Sequence, residues 1–168
     1  MCFGATHYAT SKTLLNQPMN SQAGNETNLV REIEIAGSAQ RVFAAISKPE
    51  HMLKWWSSEG QYQASEAESD PRPGGHWKLR VLMQSGATLT IHGVYLQVEH
   101  PHLLSYTWNR DDRPEDGESF VRWDLKEHAS TTQVRLTHSG LKTEAARAIH
   151  GGWTTILEIL RKHILAQE

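Results

Sequence analysis

The chain has 168 residues and a mass of 19.0 kDa, with 38% apolar residues, 21% charged residues and a formal net charge of −2. That size and composition suit one folded domain that needs neither a disulfide nor a metal to hold it. The charge balance lacks the basic excess of a nucleic-acid binder, and no apolar run approaches the ~18 residues of a membrane span.

Residues 1–28 stand apart. From Asn16 to Asn28 the sequence is polar and without period, so it cannot bury enough apolar surface to offset its ordering entropy. It reads as a flexible tail ahead of a domain over residues 29–168. Leu14-Leu15 is too short for the apolar stretch of a signal peptide, and Met19 is a second candidate start of translation. The single cysteine, Cys2, has no partner for an internal disulfide. Free-thiol usage without an export signal predicts a cytoplasmic protein.

Leu29 to Ile35 alternates as a strand, with Leu29, Ile33 and Ile35 on one face and Arg31 sharing their parity. Ser38 is a suitable N-cap for a helix through Val42, Phe43 and Ile46. Pro49 then suits the first turn of a second short helix carrying Met52, Leu53, Trp55 and Trp56. After the turn Asp70 to Gly75, a strand places Trp77, Leu79, Val81 and Met83 on one face. Leu89 and Ile91 continue that pattern, whereas Val94, Leu96 and Val98 have the opposite parity. The switch predicts a bulge or bend at His92-Gly93. Further strands carry Leu104, Tyr106 and Trp108, then Val121, Trp123 and Leu125, then Thr132, Val134 and Leu136. Short turns between them predict an antiparallel meander. Ile149, Trp153, Ile156, Leu157, Leu160 and Ile164 form one stripe of a long C-terminal helix. Gly151-Gly152 lies inside that pattern. It marks either a close approach or bend within the helix, or a helix that begins near Trp153. The class is α+β, a curved antiparallel sheet covered by a long amphipathic helix.

Several motifs together resemble a known family. They are Ile33-Glu34-Ile35-Ala36, the run from Pro49 to Trp56, Arg72-Pro73-Gly74-Gly75-His76-Trp77, Gly93-Val94-Tyr95-Leu96, the run from Pro101 to Trp108, the run from Thr131 to Leu141, and Gly151-Gly152-Trp153. This pattern resembles the family of activator of heat-shock-protein ATPase homologues, within the SRPBCC (START-like, birch-pollen-allergen-like) superfamily. The similarity spans about Leu29 to about Leu165. It implies the helix-grip fold, with a cavity between the bent sheet and the C-terminal helix, and a small hydrophobic molecule as the ligand. Cyclase- or hydrolase-like enzymes are the minority alternative. A chaperone-associated module is a third reading, weakened because the family's eukaryotic co-chaperones carry much of their chaperone binding on a separate N-terminal domain.

The candidate cavity residues are the tryptophans and their neighbours on inward faces. Trp77, Leu79, Val81, Leu89, Ile91, Tyr106, Trp108, Trp123 and His138 come from the sheet, and Trp153 and Leu157 from the long helix. Trp55 and Trp56 are adjacent on a helix, so one packs inward and the other sits at the mouth. Such apolar walls with few polar groups suit a small apolar ligand; filling the core is the competing role of the same residues. For an enzyme, His138 or Tyr106 would carry proton transfer. Glu99, His100 and His102 supply at most three ligands from one tight turn, so that turn reads as solvated rather than as a zinc site. The acidic loop from Asp111 to Gly117 lacks calcium-loop spacing. Phosphate loops, dinucleotide fingerprints, HExxH, paired-cysteine zinc patterns and nucleophile elbows do not occur. The expectation is therefore binding without catalysis, with no cofactor, no metal and no nucleic-acid partner; a homodimer is open on base rates.

Overall fold

The computed structural model of the protein describes residues 28–167. The tail, Cys2 and the second start at Met19 lie outside these residues. Eight antiparallel strands form one sheet in the order β1-β8-β7-β6-β5-β4-β3-β2. They are β1 (Leu29–Ala36), β2 (Ser57–Ser58), β3 (Tyr62–Ser69), β4 (His76–Met83), β5 (Thr88–Glu99), β6 (Leu103–Arg110), β7 (Ser119–His128) and β8 (Thr131–Ser139). Between β1 and β2 lie α1 (Ala39–Ser47) and α2 (Pro49–Trp55), and after β8 come α3 (Glu144–His150) and α4 (Trp153–Leu165). This is the helix-grip fold: the sheet curls into a half-barrel whose concave face is covered by the C-terminal helix. No described helix is long and apolar enough to cross a membrane.

The local signals act as their chemistry requires. Ser38 Oγ accepts from Arg41 N at 3.3 Å and caps α1. Pro49 opens α2. Along β4, Trp77, Leu79 and Val81 are buried and Met83 half-buried, the alternation of a one-faced strand. On α4, Trp153, Leu157, Leu160 and Ile164 are buried in the common core. At about 2 kcal/mol for each large side chain removed from water, that stripe is what fastens the helix to the sheet. Arg41 Nη2 adds a 2.7 Å hydrogen bond to the Ile164 carbonyl, tying α1 to the end of α4.

Two features depart from the sequence reading, and two more decide points that it left open. The parity switch of β5 is not at His92-Gly93 but between Tyr95 and Gln97, where the register against β6 slips by one residue. Tyr95 is thus buried, and Leu96, at the bulge, faces solvent. Gly93 has its own reason. A Cβ there would lie 1.8 Å from the Thr107 carbonyl oxygen, and that oxygen accepts from Trp77 Nε1 at 3.2 Å. Glycine therefore lets a carbonyl from β6 occupy the space of a side chain.

Second, β3 has no strand signal in the sequence, because Tyr62 to Ser69 is polar and short of β-branched residues. It forms through pairing with β4, and its own bulge between Ala64 and Glu66 adds curvature. Third, of the two readings of Gly151-Gly152 the structure takes the second: the long helix α4 begins at Trp153, and α3 precedes it as a separate helix. Gly152 is the N-cap of α4, and no atom of the sheet would meet a Cβ at Gly151 or Gly152. The pair is a junction, and close packing of sheet on helix is not its cause. Fourth, Arg31 stands on the edge strand β1, where its Nε donates to Thr154 Oγ1 at 3.1 Å in an exposed hydrogen bond.

The Gly151-Gly152 junction yields a prediction. Gly152 has an ordinary helical φ of −65°, and the nearest atom to an added Cβ is 3.7 Å away. Gly152→Ala should therefore raise stability by about 0.5–1 kcal/mol through loss of unfolded-state freedom. Urea unfolding checks it, and a lowered midpoint would contradict it.

Candidate functional site

A cleft of about 410 Å³ opens between the sheet and the α3–α4 junction. Its inner end is aromatic. Trp56, Trp108 and Trp153 are all buried, and their rings stand 5.4 to 6.1 Å apart. Val81 and Ile91 continue the wall, and half-buried Leu89, Met83, Tyr62 and Ile156 lead outward. At the mouth sit Gln61, Ile149, Gly152 and Thr155, all exposed. Arg110 is the one charged side chain on the lining, and Asp112 already holds its guanidinium through two hydrogen bonds of 2.7 and 3.0 Å.

Of the residues expected to line a cavity, Trp56, Val81, Leu89, Ile91, Trp108 and Trp153 are brought together here. Trp55, Trp77, Leu79, Tyr106, Trp123, His138 and Leu157 are not on this surface; they form the packed core around it. The three indoles among them find acceptors for their N–H groups within the core, as buried indoles need. Trp55 donates to the Ala45 carbonyl at 2.8 Å, Trp77 to Thr107 O, and Trp123 to the Tyr106 hydroxyl at 2.9 Å. Of the adjacent pair, Trp55 packs inward and Trp56 reaches the cleft.

His138 is fully buried and committed at both nitrogens. Trp153 Nε1 donates to its Nδ1 at 2.9 Å, so in the neutral ring Nε2 carries the proton and donates to Ser119 Oγ at 2.8 Å. The Ser119 hydroxyl in turn donates to the Trp108 carbonyl at 3.3 Å. Burial, with His150 close by, lowers the His138 pKa to about 3. It is thus a neutral clamp between β7, β8 and α4. Tyr106 is equally enclosed, and burial pushes its phenol above the ordinary range. Neither side chain is on the cleft lining.

Sequence reasoning missed His150, Tyr62, Met83 and Arg110 on the lining. His150 had a usable signal. The buried set Ala146, His150, Trp153, Leu157, Leu160 and Ile164 steps 4-3-4-3-4 through both helices, and extending the stripe backward selects His150. His150 is 8% exposed, and its ring meets His138 at 4.5 Å and Trp108 at 5.8 Å. Elsewhere, His100 and His102 are exposed, His100 stacks edge-on against Phe43, and the His100-Pro101 peptide is cis. Among the described residues no three His, Cys, Asp or Glu side chains converge as a metal site would require.

A family described as Activator of Hsp90 ATPase homolog 1-like protein matches residues 36–164. No curated protein matches the sequence. Among solved structures, a protein from Chromobacterium violaceum is 22% identical with a TM-score of 0.73, over 82% of this chain and 96% of its own. The AHSA1 protein from Silicibacter pomeroyi is 23% identical with a TM-score of 0.73, over 84% of this chain and 99% of its own. The AHSA1-like protein from Aeromonas hydrophila is 20% identical with a TM-score of 0.69, over 83% of this chain and 94% of its own. At these identities the likenesses show the fold.

Proposed function

The chain belongs to the Activator of Hsp90 ATPase homolog 1-like family, and from that premise we propose that it binds a small hydrophobic molecule in the cleft between the sheet and the α3–α4 junction. Domains of this fold family commonly bind hydrophobic ligands. The observation that carries the reading here is the graded wall. Three buried indoles close the inner end, aliphatic side chains lead out from them, and the single lining cation is neutralised by Asp112. A cleft of about 410 Å³ falls in the range that small-molecule sites occupy. Binding without catalysis is favoured because His138 and Tyr106, the side chains suited by type to proton transfer, are locked in the core.

Ile149 provides the test. It lines the mouth and is 39% exposed, so replacing it disturbs the core little. Ile149→Glu places a carboxylate at the entrance and should weaken the uncharged fluorescent probe N-phenyl-1-naphthylamine by about tenfold, since an apolar probe cannot solvate that charge. The urea midpoint should hold. Equal probe affinity in the variant would place the probe elsewhere and remove the proposal's support. Native mass spectrometry of protein taken from its own host, compared with the denatured mass, should then reveal the physiological ligand as added mass.

A further inference from the structure

Two ring nitrogens of residues that line the cleft have no hydrogen-bond partner among the described residues: Trp108 Nε1 and His150 Nε2. The third such atom, His51 Nδ1, belongs to α2 and is not on the lining. Four of the other indoles, Trp55, Trp77, Trp123 and Trp153, each donate to an acceptor in the interior. Leaving a buried donor or acceptor unmatched is costly.

The sense of each nitrogen is fixed. An indole N–H can only donate. His150 Nδ1 lies 2.8 Å from the Ala146 carbonyl oxygen, which can only accept, so Nδ1 holds the proton and Nε2 of the neutral ring is an acceptor. Burial holds the His150 pKa below the ordinary range. Arg110 and Arg113 act in the same direction, against the Ala146 hydrogen bond and Asp116. The neighbouring His138 is neutral as well. The wall therefore offers one donor and one acceptor from two rings that meet edge to face, 5.8 Å between centroids. A small void of about 10 Å³ abuts the cleft and shares Trp108, Arg110 and His150 with it. That is room for about one water-sized group.

We propose that the ligand of this cleft carries an uncharged hydroxyl, alcohol or phenol, that accepts from Trp108 Nε1 and donates to His150 Nε2. This rests on the apolar-ligand reading and adds the polar end of that ligand. A hydroxyl is the smallest group with both capacities. An ether or ketone would answer only Trp108. A carboxylate would set its lone pairs against His150 Nε2, and Arg110 is already engaged by Asp112. Both nitrogens are closed off from solvent. The proposal therefore requires α3, which carries His150 and is followed by Gly151-Gly152, to give way as the hydroxyl enters.

The test is displacement of N-phenyl-1-naphthylamine by naphthalene, 2-naphthol and 2-naphthoate. In the wild-type protein 2-naphthol should compete about tenfold better than naphthalene, and 2-naphthoate no better than naphthalene. His150→Phe and Trp108→Phe should each bring the naphthol-to-naphthalene ratio toward one. Equal competition by naphthol and naphthalene in the wild type overturns the hydroxyl seat while the apolar cleft stands. Stronger competition by naphthoate overturns it in favour of an anion. A preference that survives both substitutions overturns the assignment to these two rings. Failure of all three compounds to compete overturns the cleft reading as well. Should the variants not fold, the His150 Nε2 nitrogen resonance of the labelled wild-type protein decides: it should move with 2-naphthol and not with naphthalene, and no movement with 2-naphthol overturns the proposal.

Discussion

Lowering the pH from 7.5 to 5.0 should reduce the unfolding free energy by about 2 kcal/mol through His138 alone. In the folded protein its pKa is held at about 3 by burial and by His150, whereas a histidine in an unfolded chain titrates near ~6.5. Below ~6.5 the unfolded state binds a proton that the folded state refuses. Stability is therefore complete above that pH and falls by about 1.4 kcal/mol per unit beneath it, until the folded pKa is reached. His150, also lowered by burial, adds to the same slope. Asp112 and Asp116 have pKa values below the usual carboxylate range, so the stability they contribute is lost only at lower pH, and the window from 5.0 to 7.5 isolates the histidines. Urea unfolding at both pH values, with the His138 ring resonances followed by NMR, checks the prediction. A flat midpoint, or ring resonances that titrate near ~6.5, would mean that the clamp between Trp153 and Ser119 does not form.

Gly93→Ala should be the most damaging single-methyl change in the sheet, lowering stability by more than about 3 kcal/mol or preventing folding. The added carbon would lie 1.8 Å from the Thr107 carbonyl oxygen and 2.8 Å from Thr107 Oγ1. Backbone cannot retreat as the end of a flexible side chain can. If it does shift, it abandons the bond from Trp77 Nε1 and the one that Thr107 Oγ1 accepts from Val94 N at 3.0 Å. Gly86→Ala is the control. Gly86 sits at φ +84° with nothing within 4 Å of an added Cβ, so its cost is the left-handed backbone alone, about 1–2 kcal/mol. Thermal melts of the two variants separate close approach from backbone strain, and equal losses would show that the crowding at Gly93 is relieved cheaply.

The sheet and its cover were legible because burial leaves a period in the sequence. Trp77, Leu79 and Val81 alternate as a one-faced strand must, and Trp153, Leu157, Leu160 and Ile164 step as a one-faced helix must. The Ser38 cap and Pro49 were legible because they act within a few residues of themselves. β3 was not, since Tyr62 to Ser69 becomes a strand only when β4 offers its hydrogen bonds. Nor was the β5 bulge, because the count of residues on β6 sets where the register slips.

The candidate site divides along the same line. The sequence by itself determined that many large aromatic side chains face one interior, that the sheet must be covered by the C-terminal helical stripe, and to which family the pattern is similar. Only the tertiary structure decided which indoles fill the core and which wall a cleft. It also decided which acceptor each buried N–H finds: the Ala45 carbonyl for Trp55, Thr107 O for Trp77, the Tyr106 hydroxyl for Trp123, His138 for Trp153. These partners lie 10, 30, 17 and 15 residues away in sequence. Side-chain periodicity records which face is dry; it does not record which polar atom from a distant strand will meet a given nitrogen. Trp108 and His150, left without such a partner at the cleft, could be recognised only once every other pairing was in place.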